Sequence, residues 1–139
     1  MSLRFIDSSF DIAFINPEDD DHDLAHRLLT QLRVERAEFV TSQAVPLEVL
    51  AYFSRGGPNL RRRAGEFVER LLSSPGIEVV ELSEALMKRA VDSYLHRLDQ
   101  RYSLADCVSM IICRDRGITE VLTTDRDFRA EGFTILMPD

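Results

Sequence analysis

Of the 17 basic residues in this chain only one, Lys88, is a lysine. That scarcity excludes mechanisms that depend on a lysine beside the reacting group. No apolar run approaches the about 18 residues needed to cross a bilayer. The N-terminus shows no basic region followed by an apolar stretch and cleavage site, so no secretory signal is read there. No GK[ST] phosphate loop is present, which removes a P-loop nucleotidase. There are only two cysteines, Cys107 and Cys113. Their spacing within one predicted helix is neither one turn nor two, so they do not share a face. They read as free buried thiols of a reducing compartment, and the expected location is cytoplasmic. No repeat, low-complexity tract or linker divides the 139 residues. One domain spanning residues 1–139 is expected, large enough to bury a sizeable core.

What is present is acid. The net charge of −7 argues against wholesale coating of nucleic acid. It also hides a local pattern. Asp7, Asp11, Glu18, Asp19, Asp20, Asp21 and Asp23 crowd the early chain, whereas Arg55, Arg61, Arg62 and Arg63 form a stretch without acids. Arginine suits bidentate phosphate contact, although a preference for arginine codons accounts for the count equally well.

Hydrophobic periodicity alternates strand with helix. Strands are expected at Leu3–Asp7, Glu38–Thr41, Ile77–Leu82, Thr119–Thr124 and Phe133–Met137. Helices are expected at Ser8–Ile15, Asp23–Arg33, Pro46–Arg55, Asn59–Ser73, Ser83–Leu98 and Ser103–Arg116, with a short turn or helix at Asp125–Glu131. Pro46 suits a first helical turn, Gly56-Gly57-Pro58 breaks a helix, and Gly117 stops one. Val45, Val49, Leu50 and Phe53 form the apolar stripe of the third helix. Such alternation implies βαβ units and a mostly parallel sheet. Ligands of these sheets bind beyond the carboxyl ends of the strands, where strand order reverses.

Four acids fall where that geometry would gather them. Asp7 and Asp125 each follow a strand, and Glu48 and Asp106 lie near helix starts. Each also has a structural explanation. Asp106 in Ser103-Leu104-Ala105-Asp106 matches a capping box. Asp127 stands third after a Thr124 cap. Asp7 could cap the helix after the first strand, and Glu48 could serve a helix dipole. Together, four carboxylates make a poor cap and a good site for a hard cation. Metal-assisted chemistry on a phosphate is the leading expectation.

The order of four short motifs resembles the PIN-domain family, of the kind found as VapC-like toxins of VapBC toxin–antitoxin pairs. They are Phe5-Ile6-Asp7-Ser8-Ser9, then Thr41-Ser42 followed by Glu48, then Ser103 to Asp106, and finally Thr123, Asp125, Asp127 and Phe128. The resemblance covers nearly the whole chain. It implies a three-layer α/β/α sandwich with a mostly parallel sheet of about five strands. It implies a Mg²⁺- or Mn²⁺-dependent endoribonuclease that hydrolyses RNA phosphodiesters to 5′-phosphate and 3′-hydroxyl ends. Asp7 and Asp106 would be the main metal ligands, with Glu48 and Asp125 completing the site. Asp127 would help to position a second metal or its loop. Ser9 and Thr123 would orient the carboxylates or a bound water. His22 fits a histidine frequent after the first loop of this family. The resemblance also implies a homodimer and a cognate antitoxin lying across the acidic site. The second to fourth helices, around Gly56-Gly57-Pro58, are the expected contact surface. No membrane partner is expected.

Other readings rank lower. His22 and His26 have zinc-compatible spacing but lack a third ligand. Glu18–Asp23 lacks the alternation and glycine of a calcium loop. Tyr52, Phe53, Tyr94 and Tyr102 could stack bases, with Phe53 the one expected to be buried, and Arg61-Arg62-Arg63 could hold an RNA backbone. Met87 and Met110 are expected as core fillers. Receiver domains and haloacid-dehalogenase-type phosphatases place a lysine near the site, and Lys88 is expected inside a helix away from any strand end. Two alternatives stay open: a PIN-fold RNA- or protein-binding module that does not cut, and a Mg²⁺-dependent phosphatase-type hydrolase.

Overall fold

Alternation along the first strand explains why the sheet is covered on both faces. The computed structural model describes residues 2–137. In β1 (Leu3–Ile6), Phe5 and Ile6 are both buried but enter different clusters. Neighbouring strand residues point to opposite faces, so a strand buried on both sides reads as a continuous apolar run. Phe5 packs with Val40 and Val121, and Ile6 packs with Phe39 and Leu122.

Five parallel strands form one sheet: β1, β2 (Glu38–Ser42), β3 (Ile77–Val80), β4 (Glu120–Leu122) and β5 (Thr134–Ile135), in the order β3-β2-β1-β4-β5. The Phe5 face is covered by α3 (Ala44–Phe53), α5 (Glu84–His96) and α6 (Leu104–Arg116), through Val45, Val49, Phe53, Leu86, Ala90, Val108 and Ile112. The Ile6 face is covered by α1 (Ser8–Ile15) and α2 (His22–Val34), through Phe10, Ala13, Ala25 and Leu32. α4 (Gly57–Ser73) packs against α3 and α1. The three-layer expectation is met, and the sheet is wholly parallel among the described residues.

Strand order reverses at β1. The chain builds outward through β2 and β3, then returns to β1's other side to lay down β4 and β5. The register pairs Ile6 with Leu122, and the Asp7 amide donates to the Leu122 carbonyl at 3.1 Å. Asp7 and Thr123 are therefore neighbours beyond the carboxyl ends of adjacent strands, where ligands of such sheets bind. Ser103 caps α6, and Gly117 ends it in the left-handed region at φ 66°, a conformation open to glycine at low cost.

Several details differ from the sequence reading: β3 ends at Val80, β4 is only Glu120–Leu122, and α4 begins at Gly57. Leu50 is 39% exposed, because α3 turns it away from the stripe formed by Val45, Val49 and Phe53. α5 stops at His96 rather than Leu98, and Leu98 is 70% exposed. The last strand is only Thr134–Ile135.

Candidate metal centre

Asp7 sits directly after β1 at the N-cap position of α1, yet its side chain makes no capping bond. The capping explanation for Asp7 therefore fails. Its Oδ2 instead accepts from the Thr123 hydroxyl at 2.7 Å. Thr123 in turn accepts from the Asp125 amide at 3.0 Å. With its proton on Asp7, Thr123 receives the Ser9 hydroxyl, also at 3.0 Å, while Ser9 accepts from the Thr124 amide. Two hydroxyls thus tie the loop after β4 to the carboxylate after β1. The orienting role expected of Ser9 and Thr123 has this geometric support.

Asp106 is a cap as well as a candidate ligand. Its Oδ2 accepts from the Ser103 amide, and its own amide donates to Ser103 Oγ, both at 3.0 Å. One oxygen faces the backbone; the carboxylate as a whole is held in place. The cap expected from Thr124 is absent. The Asp127 amide donates instead to Asp125 Oδ1 at 2.9 Å, so Asp125 opens α7 (Asp127–Ala130). Asp106, Asp125 and Asp127 each offer an oxygen within 4.8 Å of the others. Sequence reasoning ranked Asp127 below Asp125, and the structure places it in this trio. Asp7 and Glu48 stand outside the trio, but each feels the charge of Asp106. Asp106 is thus coupled by charge to each of the other three sequence-predicted carboxylates, Asp7, Glu48 and Asp125.

The electrostatics report repulsion. Burial raises the Asp7 pKa from 3.8 to about 7; the Thr123 bond opposes this, and Asp106 and Glu48 add to it. Glu48, held by Ser8, is raised by burial and then by Asp106 and Asp125. Asp106 is raised by burial and by Asp125 and Asp127, against the Ser103 bonds. Asp127 is raised by burial and by Asp125. Desolvated like charges behave in this way. A divalent cation reverses the balance, and an all-carboxylate donor set suits Mg²⁺ or Mn²⁺. The residues present therefore fit such an ion.

Other candidates separate from the site. His22 Nδ1 meets the Ala13 carbonyl at 2.8 Å and His26 Nε2 meets the Phe14 carbonyl at 3.1 Å. The His26 ring stacks on Phe14 at 3.9 Å. Both histidines serve the end of α1, which accounts for their spacing without zinc. Tyr102 is buried and donates to Glu131 at 2.8 Å, so it offers no face to a base; Tyr52 and Tyr94 are exposed and Phe53 is buried. Lys88 pairs with Glu84 on the exposed side of α5. Cys107 and Cys113 are free and buried, as expected.

Two residues escaped sequence reasoning. Glu131 accepts from Tyr102, Arg97 and Arg114, at 2.8, 2.5 and 3.0 Å. It thereby ties the approach to α6 to the end of α7, the two segments that carry Asp106 and Asp127. No local pattern announces it. Asp11 is 1% exposed, whereas the sequence reading counted it among the early acids and gave it no role. An acid four residues after Asp7 within the apolar stretch Ser8–Ile15 was the available signal.

Residues 4–133 match the model of the PIN domain. The chain is 27% identical over 137 residues to the 23S rRNA-specific endonuclease VapC20 of Mycobacterium tuberculosis, covering 99% of this chain and 100% of that protein. The crystal structure of M. tuberculosis VapC20, described as a sarcin–ricin loop cleaving toxin, superimposes with TM-score 0.81 at 26% identity, over 94% of this chain and 96% of that one. VapBC2 from Rickettsia felis, bound to a promoter DNA fragment, shares the fold with TM-score 0.66 at 11% identity, over 96% of each chain. From its fold and from the match along nearly its full length, this chain belongs to the PIN-domain family.

Proposed function

We propose that this protein is a divalent-metal-dependent endoribonuclease and the toxin of a VapBC-type pair. The observation that carries the reading is the trio Asp106, Asp125 and Asp127, within 4.8 Å at the carboxyl end of the sheet, with Asp7 and Glu48 coupled to it. Asp106, Asp125 and Asp127 would hold the ion, with Asp7 and Glu48 supplying further negative charge. A bound Mg²⁺ or Mn²⁺ supplies Lewis acidity and an activated water for in-line displacement at phosphorus.

The chain's own part is positioning. The Thr123 hydroxyl fixes Asp7 Oδ2, and the Ser103 amide fixes Asp106 Oδ2. Such outer partners keep ligands in place. No protein nucleophile is required. Both thiols stay protonated, Cys113 because burial pushes it up to about 12. Likeness to VapC20 supports a structured ribosomal RNA as substrate. A cognate antitoxin is the proposed inhibitor, with the surface of α2 to α4 as the proposed contact. The exposed apolar side chains Val91, Tyr94, Leu95 and Leu98 at the end of α5 support self-association.

The test is cleavage of purified ribosomal RNA with end mapping. The expected products carry 5′-phosphate and 3′-hydroxyl ends, form only with Mg²⁺ or Mn²⁺, and vanish with Asp106→Asn. Undiminished cutting by that variant would remove the assignment. Binding of RNA without cleavage under any divalent ion would favour the non-catalytic alternative.

A further inference from the structure

α3 carries Glu48 into the metal centre and continues beyond it on the same face. Residues four and seven positions apart on a helix share a face. Tyr52 stands four residues after Glu48, and Arg55 stands seven after it. The C-cap Ser54 keeps helical torsions at φ −58° and ψ −27°, so the turn carries Arg55 onward in line. At the rise of an α-helix the two lie about 6 and about 10 Å along the axis from Glu48.

Tyr52 is 60% exposed, a large aromatic side chain left in solvent. Its ring meets that of Phe53 edge-to-face, with centroids 5.1 Å apart and planes at 83°. Phe53 is buried, so the core braces one side of the Tyr52 ring while the rest faces outward. Arg55 is exposed and is in no salt bridge among the described residues. No acid occurs between Glu48 and Glu66, although the chain as a whole carries a net charge of −7. Arg61 and Arg62 line a concavity of about 560 Å³ that α3 walls with Leu50, Phe53 and Ser54. Leu50 and Ser54 stand two and six residues from Glu48, off its face. Arg55 is therefore the cation in line with the metal centre, and Tyr52 lies between the two.

We propose that this face of α3 is the track for RNA flanking the cleaved bond. An unpaired base next to the scissile phosphate stacks on Tyr52, and the phosphate beyond that base pairs with Arg55. Unstacked bases of loops and single strands are held in this way, on aromatic rings beside cations. Arginine suits the phosphate because its planar fork makes two parallel bonds. An acidic protein repels RNA, and a metal ion relieves that repulsion only at the reacting phosphate. Arg55 supplies the attraction two turns away, and Tyr52 fixes which nucleotide reaches the metal. RNA suits the face better than a protein segment does, because the ring and the cation continue directly from the site of phosphate chemistry. The proposal rests on the reading that this protein cuts RNA.

The experiment measures kcat and KM of the full-length protein for cleavage of purified ribosomal RNA with Mn²⁺. Tyr52→Leu keeps apolar bulk and removes the ring. KM is expected to rise about 5- to 150-fold, with kcat little changed because the carboxylates are untouched. Tyr52→Phe keeps the ring and is expected to recover most of that loss. Arg55→Gln is expected to raise KM about tenfold. It should also lower the slope of log KM against log salt by about 0.7, the share of one phosphate on a single strand. Arg27→Gln removes the same charge from α2 and is expected to leave both constants unchanged. Wild-type KM in Tyr52→Leu and Arg55→Gln would overturn the track and leave the nuclease reading standing. An equal rise in Arg27→Gln would do the same, since the effect would then be one of overall charge. So would variants that cut like wild type and lose affinity only for a protein partner. Wild type that leaves the RNA intact with both Mg²⁺ and Mn²⁺ would remove the nuclease reading and this proposal with it.

Discussion

Replacing Asp7 with Asn is expected to make the metal-free protein more stable, and the gain is expected to depend on pH. The cause is burial. In the unfolded chain Asp7 ionises near 3.8, and in the folded protein near 7. Between those values the native state holds a proton that the unfolded state has released. Stability therefore falls as pH rises from about 4 to about 7 and levels off above. At about 1.4 kcal/mol for each pH unit, the full effect is about 4 kcal/mol. Relaxation and water entry reduce this, so a gain of roughly 2–4 kcal/mol at pH 8 is expected for Asp7→Asn. Asparagine keeps the acceptor that Thr123 uses at 2.7 Å, so that bond survives. Urea denaturation in EDTA at pH 4, 6 and 8 measures the difference. The two proteins should nearly coincide at pH 4 and separate steadily above it. Saturating Mg²⁺ should return wild type toward the variant, because ligand binding to the native state stabilises it. A variant less stable than wild type at pH 8, or a gain that ignores pH, would refute the reasoning.

Other consequences follow from particular contacts. Asp125→Asn should cut RNA at least about 100-fold more slowly, a barrier increase of roughly 2.7 kcal/mol, with an unchanged circular dichroism spectrum. Glu131→Ala should destabilise the fold by about 2 kcal/mol, measured by urea titration, since its two arginines are part exposed and the pair energies are screened accordingly. Tyr102→Phe should cost about 1 kcal/mol through loss of one hydrogen bond to the same carboxylate. Native protein should react slowly with a thiol reagent at pH 8 and release two equivalents on unfolding, because Cys107 and Cys113 are buried and their thiols are held up by desolvation.

The alternation of strands and helices was legible because each element carries its own period, and turn residues such as Gly117 mark the stops. Asp7, Asp106 and Asp125 were legible as candidates because each follows a strand or opens a helix; Glu48 lies beyond the first turn of α3 rather than in it, since α3 begins at Ala44. Strand order was not legible, since pairing of β1 with β4 joins segments more than a hundred residues apart and no local pattern encodes it. The roles of Asp106 as both cap and candidate ligand could not be separated by sequence, because the same carboxylate geometry serves both. The place of Asp127 beside Asp125 depends on α7 beginning two residues later than a Thr124 cap would set it. Asp11 was given no role because a count of acids does not show which of them α1 turns inward. Glu131 gains its role from three partners on distant segments, and long-range convergence of that kind leaves no trace in spacing.

The most direct trial is RNA cleavage by protein stripped with EDTA as Mn²⁺ is titrated back, for wild type and Asp106→Asn in parallel. Wild type should recover activity along a saturable curve, and the variant should stay at least about 100-fold slower at every concentration. Full-rate cleavage by wild type in EDTA, or full recovery by the variant, would contradict the metal-gathering role of these carboxylates.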